Sequence, residues 1–178
     1  LDRTLATGEA SSHHHNVLTA FCGCWWGGPK DERGIPIADS RDGTPRGFHI
    51  LEVSGNRYAT RFVPMGKTAH AQMRVRLGNG QGDRTVAATA GAAAAHDSRM
   101  IVNVFDGGPH TRVSCDVACN GMTHTIKLER SKALDPHIVE TFAANKSLLK
   151  PWVAAAPSSH IWSTALPASL IADGLEGA

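Results

Sequence analysis

Four cysteines, in two close pairs, are the residues best suited to chemistry in this 178-residue chain. Cys22 and Cys24 form one pair, and Cys115 and Cys119 form the other. Zinc takes four thiolate or imidazole ligands in tetrahedral geometry, and its usual cysteine spacing is C-x-x-C, which neither pair has. An even number of cysteines also permits disulfides in an oxidising compartment. The sequence therefore leaves free thiols, one disulfide and a metal site open.

A run of three histidines, His13 to His15, is a second possible metal site. Adjacent residues of a strand point to opposite faces, so three consecutive histidines cannot all reach one ion without a turn. Two serines precede the run, and the segment also resembles an affinity tag. We interpret it as a solvent-exposed loop that leads into the apolar stretch 17–21.

The most unusual segment is residues 22–33, CGCWWGGPKDER. Its two adjacent tryptophans lie beside a glycine-rich stretch and a cluster of charged residues. Indole faces stack on sugar or lipid surfaces and attract cations, so this segment could line a ligand cleft. The structural alternative places one tryptophan in the core and the other at a domain junction.

None of the usual catalytic motifs occurs in the sequence. There is no G-x-S-x-G elbow, Walker loop, H-E-x-x-H, Rossmann fingerprint, or two-metal cluster such as G-H-x-H. Ser158, Ser159 and His160 come nearest to a nucleophile–base group, but neighbouring side chains of a strand cannot easily form such a pair. We therefore assign no catalytic residue and no metal ligand to this chain.

Short apolar or alternating stretches bounded by turn residues predict strands along most of the chain. The clearest is a β-hairpin with strands at 47–53 and 57–63, joined by Ser54-Gly55-Asn56. Further strands are predicted at 17–24, 72–77, 99–105, 111–117 and 122–128, and a short helix within 135–146. Strands at this spacing indicate a mainly β fold of the sandwich type. A domain boundary is predicted near residues 64–71.

Composition excludes several classes of protein. Hydrophobic residues make up 42% and charged residues 19%, which is typical of a globular chain. The net charge of +2 is too small to indicate a nucleic-acid partner or a membrane surface. No apolar run approaches the roughly 20 residues of a membrane-spanning helix. We expect neither nucleic-acid binding nor a membrane span.

A family resemblance is carried by residues 22–51, CGCWWGGPKDERGIPIADSRDGTPRGFHIL. This string closely resembles the region that follows the catalytic core of bacterial calcineurin-like metallophosphoesterases. The pattern W-W-x-G-P-x-D-x-R-G-I-P, followed by D-G-T-P-x-G-[FY], is long and specific. The likeness spans roughly residues 13–170. Its later motifs are I-V-N-V-F-D at 101–106, D-P at 135–136, K-P-W at 150–152, S-H-I-W at 159–162 and L-P at 166–167.

The resemblance implies the domain organisation. In this family an N-terminal domain and a two-metal catalytic domain precede a β-rich C-terminal domain. The metal ligands come from upstream motifs ending in G-H-x-H, none of which is in this chain. Residues 1–66 would be the tail of the catalytic domain, whose sheet they end, and residues 67–178 a C-terminal β-sandwich-like domain. The start at Leu1 and the short segment 171–178 predict a truncated piece with an open sandwich edge.

The resemblance also implies a function. We expect an accessory C-terminal part of a metal-dependent phosphoesterase, with the upstream catalytic domain of the same protein as its partner. Two divalent metal ions would belong to that catalytic domain, and no cofactor to this chain. Trp25, Trp26, Asp31 and Arg33 would flank the substrate cleft of the parent enzyme. An exported or periplasmic location rests on the resemblance alone.

Two alternatives stay open. The chain could be a carbohydrate- or protein-binding β-sandwich module, since sandwiches often carry ligands on their loops. It could also be an incomplete gene product without a function of its own. In a binding module Trp152 and Trp162 would be exposed, whereas in an accessory domain both would be buried.

Overall fold

The computed structural model describes residues 5–7, 11–13, 18, 21, 29–30, 32–68, 70–78, 84–85 and 99–167. Within these ranges the chain is mainly β, which confirms the predicted fold class. The elements are β1 (Leu5–Thr7), β2 (Ser11–His13), β3 (Gly47–Ser54), β4 (Arg57–Pro64), β5 (Met73–Gly78), β6 (Arg84–Thr85), β7 (Arg99–Val104), β8 (Val113–Cys119), β9 (Met122–Ala133), α1 (Pro136–Ala144), a 3-10 turn (Lys146–Leu148) and β10 (Ser158–Ala165). Among the described residues, no helix has the length and apolar character needed to cross a membrane.

The predicted hairpin is confirmed as the antiparallel pair β3–β4. Its register runs from Gly47 opposite Pro64 to Ser54 opposite Arg57, and Gly55 takes a φ of 59° in the turn. One end of the hairpin is anchored: Phe62 is fully buried, and its ring centroid lies 6.1 Å from that of Phe105. The other end extends into solvent.

The main sheet has six antiparallel strands in the order β6-β5-β7-β10-β9-β8. Val75 pairs with Val102 and Leu77 with Met100, so these apolar side chains share one face, as the alternation predicted.

Trp162 pairs with Val102 from the other side and lies in the same core. The core also takes Leu128 from β9 and Leu166, with Val113 and Ile126 packed against it. A single cluster therefore receives side chains from both halves of the sheet.

The opposite face of the same strands is polar. Arg74 pairs with Asn103 in the register of β5 and β7, and Arg76 follows two residues later on the same face. The helix α1 contacts this face through an ion pair between Glu140 and Arg76. Asp135 caps α1 by accepting from the His137 N–H at 2.8 Å, and Pro136 occupies its first turn, as is common at helix starts.

Three segments differ from the sequence prediction. In the stretch 17–24, Leu18 and Phe21 are not in a strand, and the other residues lie outside the described part of the chain. The strand predicted at 122–128 extends to Ala133, and β10 was not predicted as a strand. The division of the chain at residue 66 stays a prediction.

Candidate functional site

The residues assigned to the substrate cleft are mostly outside the described structure. Trp25, Trp26 and Asp31 all fall there. Arg33 is described and is exposed in a turn that a bridge between Lys30 and Pro36 closes. Their role at a cleft stays a prediction.

The cysteines and histidines that could have bound a metal are only partly described. Of the run 13–15, the first histidine lies in β2, and the other two fall outside, as do Cys22 and Cys24. Cys115 and Cys119 are both free thiols on β8. Burial raises the pKa of the Cys115 thiol, which favours its protonated form. Within the described ranges, no group of three or more His, Cys, Asp or Glu side chains could hold a metal ion.

A tight loop at residues 39–46 contacts the polar face of the sheet. Inside the loop, the Gly43 N–H donates to the Ser40 carbonyl at 2.9 Å and the Thr44 N–H to Asp42 Oδ1 at 3.0 Å. Gly43 has a φ of +87°, and a Cβ there would collide with the carboxylate of Asp135. Glycine is therefore required at this position by backbone conformation and by space.

His160 of β10 is one of the residues that join this loop to the sheet. Its Nε2 lies 3.2 Å from Thr44 Oγ1 and 3.2 Å from Asp42 Oδ2, and its Nδ1 lies 2.7 Å from Asn103 Oδ1. In the pairing of β10 with β9, Ser158 lies opposite Ala133 and Ile161 lies opposite Ser131. Three steps along β10 therefore match two steps along β9. This β-bulge reverses the alternation, so that His160 faces Asn103 and not the core side occupied by Trp162.

Asn103 fixes the orientation of the imidazole. Its Nδ2 donates to the Asp42 carbonyl at 3.2 Å and to Asp135 Oδ2. Both partners are acceptors, so the amide cannot be turned over without losing both bonds. Asn103 Oδ1 is then an acceptor, and the Nδ1–H of His160 must donate to it.

Asp135 is the most deeply buried charge of the group, with 1% of its surface exposed. Its Oδ2 accepts from Asn103 and also from Arg74 Nη1 at 2.9 Å, and its Oδ1 caps α1. The same Arg74 nitrogen donates to the Gly43 carbonyl at 2.9 Å. A buried carboxylate is tolerated when it is paired and hydrogen-bonded in this way. We call Asp42, Thr44, Arg74, Asn103, Asp135 and His160 the buried polar network.

Asp42 is ionised in the network at neutral pH. Burial opposes ionisation of this carboxyl, but the hydrogen bonds that it accepts from His160 and from the Thr44 N–H outweigh that effect, and its pKa is lowered. A second carboxylate of the loop, Asp39, lies 3.5 Å from His137 Nε2 of α1. Carboxylate–histidine contacts thus hold the loop at its first residue, Asp39, and at its middle, Asp42.

Thr44, His160 and Asn103 are connected in series through the imidazole, an order that also occurs in catalytic hydroxyl–histidine groups. Thr44 has only 1% of its surface exposed, so a substrate cannot reach its hydroxyl. Each side-chain atom given above for the buried polar network has a hydrogen-bond partner within the protein. The arrangement fixes the loop on the sheet.

Sequence reasoning missed this network because its members are far apart in the chain. Each nevertheless lies in a motif that carried the family resemblance: D-G-T-P holds Asp42 and Thr44, I-V-N-V-F-D holds Asn103, D-P holds Asp135, and S-H-I-W holds His160. Their convergence gives these motifs a common structural role. Arg74 is the one member outside the quoted motifs.

An exposed apolar surface lies on the outer half of the hairpin. Leu51, Val53 and Tyr58 share one face of β3–β4, since Val53 pairs with Tyr58 and Leu51 is two residues away. Their exposed fractions are 60%, 68% and 49%, respectively. Together with Leu18 and His49 they line an open depression of about 470 Å³. We call this surface the apolar hairpin face.

The exposure of Trp152 and Trp162 was expected to differ between an accessory domain and a binding module. One tryptophan agrees with each expectation. Trp162 is 2% exposed, as an accessory domain predicts, and Arg130 lies over its ring at 5.8 Å. Trp152 is 71% exposed, as a binding module predicts. The pair therefore does not decide between them.

Comparison with known families gives a match over most of the chain. Residues 14–174 match a family model described as the C terminal of calcineurin-like phosphoesterase. The matched range includes every element from β3 to β10 and the whole buried polar network. Comparisons with curated proteins and with solved structures gave no match.

Proposed function

The chain belongs to the family of C-terminal regions of calcineurin-like phosphoesterases, and we propose that it is the non-catalytic accessory part of such an enzyme. In this proposal it contacts the upstream catalytic region of the same protein through the apolar hairpin face. The family implies that two divalent metal ions, held by that upstream region, orient a hydroxide for attack on phosphorus.

The apolar hairpin face is the observation that carries the proposal. Leu51, Val53 and Tyr58 present a contiguous apolar surface on a two-stranded sheet that is not paired with the six-stranded sheet. Apolar surface is stabilised by burial at about 25 cal/mol per Å². Contiguous exposed apolar patches are common at contact sites with other protein surfaces. The hairpin also lies within the segment 1–66 that the resemblance assigns to the end of the catalytic sheet.

The buried polar network supports the non-catalytic part of the proposal. Its carboxylates and imidazole are committed to the loop, the sheet and α1, and Thr44 is closed to solvent. Trp25, Trp26, Asp31 and Arg33 would flank the substrate cleft only when the catalytic region is present.

An activity assay tests the proposal. The chain, residues 1–178, is incubated with a chromogenic phosphomonoester and a phosphodiester, with and without added manganese, and its metal content is measured in parallel. We expect no hydrolysis above background and no stoichiometric metal. Metal-dependent turnover by this chain would overturn the proposal, and the metal content would show whether the chain itself binds the ions.

The binding module is a second candidate, and the exposure of Trp152 favours it. An exposed indole can stack on a sugar ring. Titration with soluble oligosaccharides, followed by tryptophan fluorescence, tests this candidate. A saturable change that is absent in Trp152→Ala would support it over the accessory role.

A further inference from the structure

A second cavity, of about 280 Å³, lies on the polar face of the six-stranded sheet. Its lining comes from β5, the first turn of α1, Phe105, Lys67 and Ala71. Four basic side chains line it: Lys67, Arg74, Arg76 and His137. No carboxylate is among its described lining residues.

Arg74 lines this cavity, and two of its nitrogen donors have no hydrogen-bond partner among the described residues. Its Nη1 donates to the Gly43 carbonyl and to Asp135 Oδ2, whereas its Nε and Nη2 have no partner among the described residues. These donors are not sealed inside the protein, because the one buried side-chain N or O atom without a partner in the described ranges is His49 Nδ1. The guanidinium is also held in place, with its carbon 5.4 Å from the centre of the Phe105 ring. The edge formed by Nε and Nη2 is the one that binds two oxygens of a single anion side by side.

Lys67 and Arg76 add positive charge around that edge. Lys67 is exposed and has no ion-pair partner among the described residues. Arg76 is paired with Glu140, whose carboxylate does not line the cavity. His137 lies in the first turn of α1, where the helix dipole also favours an anion. The cavity thus concentrates cations, while their carboxylate partners lie outside its lining.

We propose that this cavity binds a phosphate-class oxyanion, either as inorganic phosphate or as the phosphate group of a small phosphorylated molecule. Arg74 would hold two oxygens of the anion through Nε and Nη2, and Lys67 would supply a mobile point charge. The volume suits a phosphate with a small organic substituent, since it is just below the range of pockets for drug-sized ligands. The proposal concerns binding by this chain alone and is independent of its accessory role.

Isothermal titration calorimetry of the chain, residues 1–178, with inorganic phosphate and with phenyl phosphate tests the proposal. We expect saturable binding of one equivalent. Tighter binding of phenyl phosphate would identify a phosphorylated molecule as the ligand, and equal or weaker binding would identify free phosphate. Absence of saturable heat with both probes, from a chain shown to be folded by circular dichroism, would overturn the proposal.

Two variants locate the site. Arg74→Lys keeps the charge and loses the paired donors, so the dissociation constant should rise about tenfold. Lys67→Glu changes an exposed residue that holds no part of the fold and should weaken binding severalfold. Lys127→Glu, on exposed β9, makes the same change of net charge and should leave binding within twofold. If Arg74→Lys does not fold, Lys67→Glu decides alone: affinity equal to that of Lys127→Glu would overturn the proposed site.

Discussion

His160 Nε2 lies 3.2 Å from Asp42 Oδ2, although the two residues are 118 positions apart in the chain. The contact joins the last described strand to the loop that precedes the hairpin. It depends on the bulge in β10, which turns His160 away from the apolar core. The imidazole of His160 is therefore one of the groups that connect the loop to the main sheet.

Replacing His160 by alanine should lower the free energy of unfolding by about 1–3 kcal/mol, since Asn103 Oδ1 and the Thr44 hydroxyl would lose a buried partner. Urea denaturation followed by circular dichroism measures the change. The matched control is His124→Ala, at an exposed position of β9, which should shift stability by no more than about 0.5 kcal/mol. Equal effects of the two substitutions would contradict the role given to His160.

The lowered pKa of Asp42 predicts a pH-dependent contribution to stability. A carboxyl whose pKa is lower in the folded chain stabilises it above the unfolded value, here 3.8, and this stabilisation is lost as the pH falls through the folded pKa. The wild-type chain should therefore exceed Asp42→Asn in unfolding free energy at pH 7 and 5, and the difference should shrink below about pH 3.8. Urea midpoints across this range test it, and a difference that is constant with pH would contradict it.

Gly43→Ala should destabilise the chain by more than Gly55→Ala. Both glycines have positive φ, at +87° and +59°, so both substitutions introduce the strain of a left-handed residue, about 1–2 kcal/mol. Only at Gly43 does the added Cβ also meet the Asp135 carboxylate, whereas Gly55 has open space around it. Thermal unfolding of the two variants separates the two effects. Equal losses would show that the loop moves away from Asp135 without cost.

Val53→Lys should lower the melting temperature and the phosphoester turnover of the full-length enzyme. The stability of this chain by itself should stay nearly unchanged. Val53 is exposed here, but in the proposed assembly it contacts the upstream catalytic region, where a lysine would be buried without a partner. Glu52→Lys is the matched control, because Glu52 is the next residue and points to the opposite face of β3. The melting temperature and phosphoester turnover of the full-length enzyme are the measurements. A loss shared by both variants would argue against the apolar hairpin face as the contact.

The hairpin and the sheet faces were predictable because they follow from local pattern. Ser54-Gly55-Asn56 supplies the turn between two alternating stretches, and the alternation of Val75 and Leu77 selects the apolar face. The family was also predictable from the sequence. The motifs of residues 22–51 indicated it, and the family match over residues 14–174 confirms it.

The buried polar network was not predictable, since it depends on register. Strict alternation along Ser158–Trp162 would place His160 on the same face of the sheet as Trp162. The structure has one extra residue in β10, which places His160 on the opposite face. The residues just before His160 in the sequence are Ser158 and Ser159, whereas its side-chain partners are Asp42, Thr44 and Asn103. Long-range pairing of this kind leaves no periodic signal in the sequence.

The position of β10 between β7 and β9 also sets an order of events during synthesis. Strands β5 and β7 on one side, and β8 and β9 on the other, can pair as they emerge, but among the described strands the two groups are joined in one sheet only by β10. His160 arrives on that same strand, so the loop at 39–46 gains its contacts with the imidazole only after β10 is made, although the loop itself is made early. A ribosome that stops before residue 158 would release two unjoined sheets with exposed edges, the form of the chain most open to aggregation and proteolysis.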